Sequence, residues 1–320
     1  MQFIDNYPLK NITTLQIGGP AKKFVEVKTQ EELIEAITFS KQNNLEYLII
    51  GGGSNLLVAD EGVNKLIIKN EITGITTSGS HLEGARLNVK SGTVLQDLVD
   101  YSIQHGLPGL QKLTGIPGTV GGAVFGNAGA YGQTISDNII SVVILNPFQD
   151  LQTLPKKECN FNYRDSIFKQ TKNPILEILL RLDTKNAIVQ NVVSLLQKEA
   201  DEVLEKRLIK YPKGIKCPGS FFKNIVASTL PKEILEKIPQ EKIIYGKLPA
   251  GSLLEEVGAK GDSLEGIYIA DYHANLFINS GSGSAKTFYD LAKKYADKVY
   301  GKFGIKLEPE VQLINLPPIL

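Results

Sequence analysis

Leu113-Thr114-Gly115-Ile116-Pro117-Gly118-Thr119-Val120-Gly121-Gly122-Ala123, running on through Gly126-Asn127-Ala128-Gly129-Ala130 to Gly132, sets seven glycines among twenty residues without the polarity of a flexible linker. Glycine costs backbone entropy, so a chain carries this many inside an apolar segment where its main chain passes very close to another body or takes positive φ. A second such segment, Gly51-Gly52-Gly53-Ser54-Asn55, follows directly on the apolar run Tyr47-Leu48-Ile49-Ile50, which reads as a strand delivering it. Together the two turns point to one large ligand bearing phosphates, met by nests of backbone N–H groups. Spacing narrows its kind. Neither segment ends in the Gly-Lys-Ser/Thr that a P-loop needs for terminal phosphates and magnesium. A dinucleotide fingerprint would need a third glycine where Leu56 stands. What remains is a nest with Ser54 and Asn55 as side-chain donors, or, as the plainer alternative, two structural turns.

Outward from these turns the elements alternate. Phe24-Val25-Glu26-Val27 reads as a strand, and Thr29-Gln30-Glu31-Glu32 as a capping box opening a helix with Leu33, Ile34 and Ile37 on one face. With the strands at 47–50 and Lys65-Leu66-Ile67-Ile68, residues 1–70 form a small α/β unit. Thr73 to Gly92 reads as hairpin material leading to a helix that opens on a Thr93-x-x-Gln96 box, buries Leu95, Leu98 and Val99, and ends at Gly106. Strands at 139–145 and 176–182 complete a second unit, 71–185. A long amphipathic segment from Ile188 to Lys210 bridges to a third, 186–320, with strands at 268–271 and 275–278 and a helix over 285–300. The fold class is α+β.

The composition excludes several classes. Thirty-five basic and 34 acidic residues leave a net charge of +1, so no overall field recruits nucleic acid or an anionic membrane. The two cysteines, Cys159 and Cys217, make no disulfide framework, and with three scattered histidines they give no metal-ligand spacing. Asp5, Asn6 and Pro8 interrupt the start where a signal peptide needs an apolar core, and no run approaches the ~18 apolar residues of a membrane span, so a cytoplasmic protein is expected. Oligomeric state has no signature here.

Six motifs in order along the chain carry a resemblance. They are Asn11-Ile12-Thr13-Thr14-Leu15-Gln16-Ile17-Gly18-Gly19-Pro20-Ala21, Gly51 to Leu57, Leu113 to Gly132, Tyr163-Arg164-Asp165-Ser166, Gly219-Ser220-Phe221-Phe222-Lys223-Asn224, and Leu307-Glu308-Pro309-Glu310-Val311. In these the chain resembles the UDP-N-acetylenolpyruvoylglucosamine reductase family of flavoenzymes in peptidoglycan precursor synthesis, over nearly its whole length. The resemblance implies non-covalent FAD held by two subdomains of the vanillyl-alcohol-oxidase type, 1–70 and 71–185, and a C-terminal α/β substrate domain, 186–320. It also implies that an enolpyruvyl ether is reduced to a lactyl ether, with electrons from NADPH passing through the flavin. FAD would then lie against Gly51, Gly52, Gly53, Ser54, Asn55, Leu56, Thr114, Gly115, Pro117, Gly118, Gly121, Gly122, Asn127, Gly129 and Ala130.

The same resemblance gives roles to later residues. Arg164 would brace the enolate that develops beside the substrate carboxylate, as a permanently charged guanidinium can with paired hydrogen bonds; read alone, it is a surface or ion-paired arginine beside Asp165. Ser220 would be the proton donor, which requires a strongly basic carbanion and a dry pocket; read alone, it is a turn or cap residue. Glu310 would be the family's second carboxylate, kept protonated by desolvation, with Glu308 as a surface neighbour. Lys210 and Asn224 would contact the nucleotide sugar; His273 and Asn275 are further candidates to face the substrate, with His273 read alone a satisfied structural residue on an apolar strand. The cysteines near Arg164 and Ser220 need no redox role. Between Arg164 and Ser220 there is room for one long helix and not for the tyrosine-bearing covering loop of some members, so the chain is of the shorter-looped type. Ile225 follows Asn224 where many relatives carry proline. Two other readings stay open at this point: a flavin oxidase of the same superfamily, and a non-catalytic nucleotide-sugar-binding protein.

Overall fold

The computed structural model describes residues 1–78, 84–182, 191–236 and 238–319. Contacts divide the chain into two discontinuous compact units. The first comprises residues 1–5, 23–52 and 64–209; the second comprises 6–22, 53–63 and 210–320. A break at residue 70 has no counterpart in this partition. The expected break at 185–186 and the helix start at Ile188 lie outside the described residues.

The strands Ile4–Pro8, Pro20–Val27, Val63–Asn70 and Tyr47–Ile50 form a sheet in that order, the last two pairing in parallel with Tyr47 opposite Leu66. Parallel pairing demands a crossover. The helix Gln30–Gln42 packs Leu33, Ala36 and Ile37 onto Val25, Val27, Leu66 and Ile68. Its start follows from the sequence: Thr29 accepts the Glu32 N–H, while the Glu32 carboxylate reaches back to the N–H of Lys28.

A second, antiparallel sheet in the first unit runs Leu151–Pro155, Ile139–Leu145, Ile175–Leu182, Ala85–Lys90, Ile75–Ser78. Leu87, Val89, Val142, Ile144, Ile178 and Leu180 alternate onto one face, under Leu95, Leu98 and Val99 of the helix Leu95–Gln104. That helix does not open on the expected box. Thr93 spends its hydroxyl on the main chain of Gly74, and Gln96 accepts from Gly115 N–H and donates to Asp100, so the cap residue is Val94, without a side-chain cap. Residues 79–83, within the stretch expected as hairpin material, lie outside the described residues. The bridging helix, Val192–Lys210, buries only Leu196, Ala200 and Val203.

The second unit centres on a three-stranded sheet, Ser263–Leu264, Ile267–Ile269 and Phe277–Asn279, against the helices Ala250–Glu256 and Ala285–Phe303. Phe221, Phe222, Phe277 and Phe288 form its aromatic centre, with ring centroids 4.7–6.2 Å apart. Leu15, Ile17 and Leu57 join the same core from far upstream. The strand Leu56–Val58 pairs in parallel with Gln312–Ile314, which places the end of the chain beside the turn that follows Gly53.

Candidate functional site

In the first unit the structure brings the two glycine segments together. The residues 118–121 run along 91–95: Leu95 N–H donates to Gly118, Val120 N–H to Thr93 and Gly121 N–H to Ser91. Gly52 faces Gly118 so closely that a Cβ on it would stand 2.8 Å from the Gly118 Cα, and one on Gly51 would strike the Thr119 hydroxyl. The glycines at these points permit main chain to lie on main chain. A short helix, Val120–Phe125, follows, capped by the Thr119 hydroxyl at Gly122 N–H. Gly129 and Ala130 pair with Thr134 and Gln133 in a small hairpin. Thr114 is buried and turns its hydroxyl to Gln111, and Gly115 abuts the Arg207 side chain.

An exposed rim remains. Gly52 and Gly122 are exposed, and a Cβ on Gly122 would meet only the Thr119 hydroxyl, at 3.6 Å. Asn127, held at φ +44, is 6 % exposed, and its Oδ1 is a buried acceptor without a hydrogen-bond partner. A buried acceptor left over costs roughly 1–3 kcal/mol unless a ligand or water supplies a donor. Open glycine main chain beside an unmatched acceptor fits a ligand as large and polar as FAD.

Asn127 also ties this rim to the arginine. Its Nδ2 donates to the carbonyl of Asn162 at 2.8 Å, and Ser166 Oγ donates to Phe125 O at 2.7 Å. Between these anchors Asn162 and Asp165 bridge, so Arg164 sits in a tight turn at φ +54, its carbonyl accepting from Lys169 Nζ and its guanidinium 5.5 Å from the Tyr163 ring centroid. A left-handed backbone at a non-glycine residue persists where its surroundings over-determine it.

In the second unit Ser220 and Glu310 are joined through one residue. Ser220 bridges to Leu276 and Phe222 to Pro309; Phe221 donates its N–H to Asn275 O, and Phe221 O accepts from Glu310 N–H at 2.7 Å. Lys223 N–H donates to Glu308 O, and the Lys223 and Glu308 side chains pair at 3.1 Å in solvent, the latter side chain 74 % exposed, while Glu310 is half-buried. Asn55, expected as a phosphate donor, gives its Nδ2 to Glu310 O at 3.1 Å, and its carbonyl accepts from Gln312 N–H. Leu56 lies in the strand paired with Gln312, and Gly53 meets Ile12 main chain closely enough to exclude any side chain.

The remaining candidates divide. Asn275 is 3 % exposed and spends both ends of its amide on Phe222, accepting its N–H and donating to its carbonyl at 2.8 Å each. It pins the main chain that follows Ser220. Asn224 Oδ1 accepts from Ala250 N–H at the start of a helix. Lys210 holds its ammonium 5.3 Å from the Tyr211 ring centroid. Burial, with the nearby Lys210 charge, pushes the His273 imidazole down to about 4, and its Nδ1 is buried without a partner. Burial likewise pushes the Cys159 thiol up to about 11 and raises that of Cys217, which leaves both as small apolar side chains.

Sequence reasoning missed Tyr211, whose hydroxyl lies 2.9 Å from Ser220 Oγ. No spacing rule joins a tyrosine to a serine nine residues on across a turn. Among the described residues no group of His, Cys, Asp or Glu side chains is arranged to hold a metal, and no helix is long and apolar enough to cross a membrane.

Comparison with known proteins accords with this geometry. Residues 21–151 match the FAD binding domain family, and residues 208–314 match the C-terminal domain of UDP-N-acetylenolpyruvoylglucosamine reductase. The UDP-N-acetylenolpyruvoylglucosamine reductase of Solibacter usitatus is 37 % identical over 96 % of this chain and 95 % of its own, and that of Bacillus subtilis 32 % identical over 97 % and 93 %. The crystal structure of the reductase from Thermus caldophilus superposes with a TM-score of 0.73 at 29 % identity, covering 98 % of each chain. The chain therefore belongs to the UDP-N-acetylenolpyruvoylglucosamine reductase family and is an FAD-dependent oxidoreductase.

Proposed function

We propose that this protein reduces UDP-N-acetylenolpyruvoylglucosamine to UDP-N-acetylmuramate with NADPH as electron donor, a step of peptidoglycan precursor synthesis. The observation that supports the reading is that the main chains of Ser220 and Glu310 are linked through Phe221, which donates its N–H to Asn275 O and accepts the Glu310 N–H. Bound FAD supplies the two electrons, taken from NADPH and passed to the substrate. This chain's residues then have three tasks. Gly51, Gly52, Gly118, Gly121, Gly122 and Asn127 hold the cofactor by main chain and one amide; Gly53, Ser54, Asn55, Leu56, Thr114, Gly115, Pro117, Gly129 and Ala130 shape the turns around it. Arg164 braces negative charge on the substrate carboxylate, an effect often worth about 3–4 kcal/mol per donor in a dry site. Ser220 gives a proton to the substrate carbon, with Glu310 hydrogen-bonded to the enolate.

On the substrate side Lys210 meets the diphosphate, with His273 and Asn224 near the sugar; Asn275 acts by holding Phe222. The test separates the half-reactions. A purified chain carrying the absorbance of oxidised flavin excludes a plain binding protein, and bleaching by NADPH with recovery on adding the enolpyruvyl nucleotide, and not on oxygen alone, excludes an oxidase. Ser220→Ala will keep the bleaching and slow substrate-driven recovery roughly 10²–10⁴-fold, the usual worth of a general acid. Recovery at the native rate in that variant would remove Ser220 from its role.

A further inference from the structure

We propose that Tyr211 is the positioning residue for the proton donor, handing its phenolic proton to Ser220 Oγ as the serine hydroxyl gives its own to the substrate carbon; this rests on the reading of Ser220 above. Tyr211 OH lies 2.9 Å from Ser220 Oγ, and either atom can donate. Both ends of that bond meet at one residue, Leu276. The Tyr211 ring packs on the cluster Cys217, Ala270, Leu276 and Ile278, and Ser220 is bridged to the same Leu276. The distance is therefore set by packing and not by chance rotamers.

Chemistry chooses the direction. A serine hydroxyl has one proton, and a serine that donates it to tyrosine has none to offer the substrate. The productive arrangement has Tyr211 donating and Ser220 free to point its proton onward. As the Ser220 O–H bond breaks and a C–H bond forms on the substrate carbanion, an alkoxide would be left in a half-buried site. A phenol, with a reference pKa near 10, is a far stronger acid than an aliphatic alcohol, so it reprotonates that alkoxide at once. The balance closes: one proton passes from Tyr211 to Ser220, one from Ser220 to carbon, and the charge that began on the enolate ends on the Tyr211 phenolate. The Lys210 ammonium, 5.3 Å from the ring centroid, places a positive charge near it until solvent restores the proton.

Tyr211→Phe keeps the ring and its packing and deletes the relay. In single-turnover recovery of the NADPH-bleached enzyme by the enolpyruvyl nucleotide, measured across mixtures of light and heavy water, the native rate will follow a curved dependence on deuterium content, as two moving protons require. Tyr211→Phe will recover about 10–100-fold more slowly, the worth of a hydrogen bond to a charged group, along a straight line of one proton. Its bleaching rate and melting temperature serve as controls for folding. In a Ser220→Ala background, Tyr211→Phe will change recovery no further. If Ser220→Ala cripples recovery but Tyr211→Phe keeps the native rate or the curved dependence, or if the native dependence is straight, the relay is overturned and the Ser220 role stands. If Ser220→Ala recovers at the native rate, both fall.

Discussion

His273 is the residue at which burial and charge can be read out separately from turnover. Burial first, and the Lys210 ammonium second, hold its imidazole down to about 4, against 6.5 in a free chain. The folded protein keeps His273 neutral where the unfolded chain takes up a proton, so its contribution is whole above pH ~6.5 and is lost as the pH falls from there toward 4. The full shift would amount to about 3 kcal/mol, and partial exposure reduces it to roughly 1–2 kcal/mol. Denaturant unfolding of the native chain at pH 7 and at pH 4.7 will differ by that amount more than in His273→Gln; equal losses in the two would assign the acid sensitivity elsewhere. At this scale the sequence is half legible. Serine, glutamate and arginine declare chemistry by type, but nothing in YHANLF tells that the Asn275 amide holds the Phe222 main chain. Only the fold decides whether an amide faces a ligand or its own backbone.

Elements were legible where their signals are local. Thr29 caps its helix as its spacing says, its hydroxyl accepting the Glu32 N–H. Thr93 has the same spacing and fails, because the loop at Gly74 takes both of its hydrogen-bonding functions first. The strand Leu56–Val58 was invisible because its partner, Gln312–Ile314, lies some 250 residues away. The cap of the helix Ala285–Phe303 mixes both kinds. Ser284, next to the helix, accepts from Thr287 N–H, and Asp60, from the far segment, accepts the N–H groups of Ala285 and Lys286 at 2.8 and 2.9 Å. A carboxylate on the first turn of a nineteen-residue helix satisfies two orphan donors and meets the positive end of its dipole. Asp60→Ala will therefore lower stability by about 1–2 kcal/mol. The change will appear as a drop in denaturation midpoint with unchanged slope, and Asp60→Asn will recover part of it; a variant as stable as the native chain would mean that Ser284 alone carries the cap.

At the scale of the molecule the decisive fact is that neither unit is a continuous piece of chain. A family match over 208–314 invites treating the C-terminal region as a domain to be expressed by itself. Its core says otherwise. Leu15, Ile17 and Leu57 are 3 % exposed or less and pack in one cluster with Phe221, Phe277 and Phe288. The upstream segments are also tied by hydrogen bonds: Thr14 Oγ1 donates to Cys217 O, Asn279 Nδ2 to Leu15 O, and Asn55 Nδ2 to Glu310 O. Three buried aliphatic side chains are worth about 5–9 kcal/mol of burial, which is the size of a whole domain's net stability. Residues 210–320 made alone will lack a cooperative thermal transition and fixed aromatic packing, read as a flat melting curve and a weak near-ultraviolet circular dichroism signal, while the full chain gives both. Adding residues 1–63 as a separate polypeptide will restore a measurable share of the signal, because the missing core atoms and the donors of Thr14 and Asn55 return with it. A sharp transition in the isolated piece would mean that Phe221, Phe277 and Phe288 close on themselves, and that the glycine turn after Ile50 is joined to Glu310 without being needed to hold it.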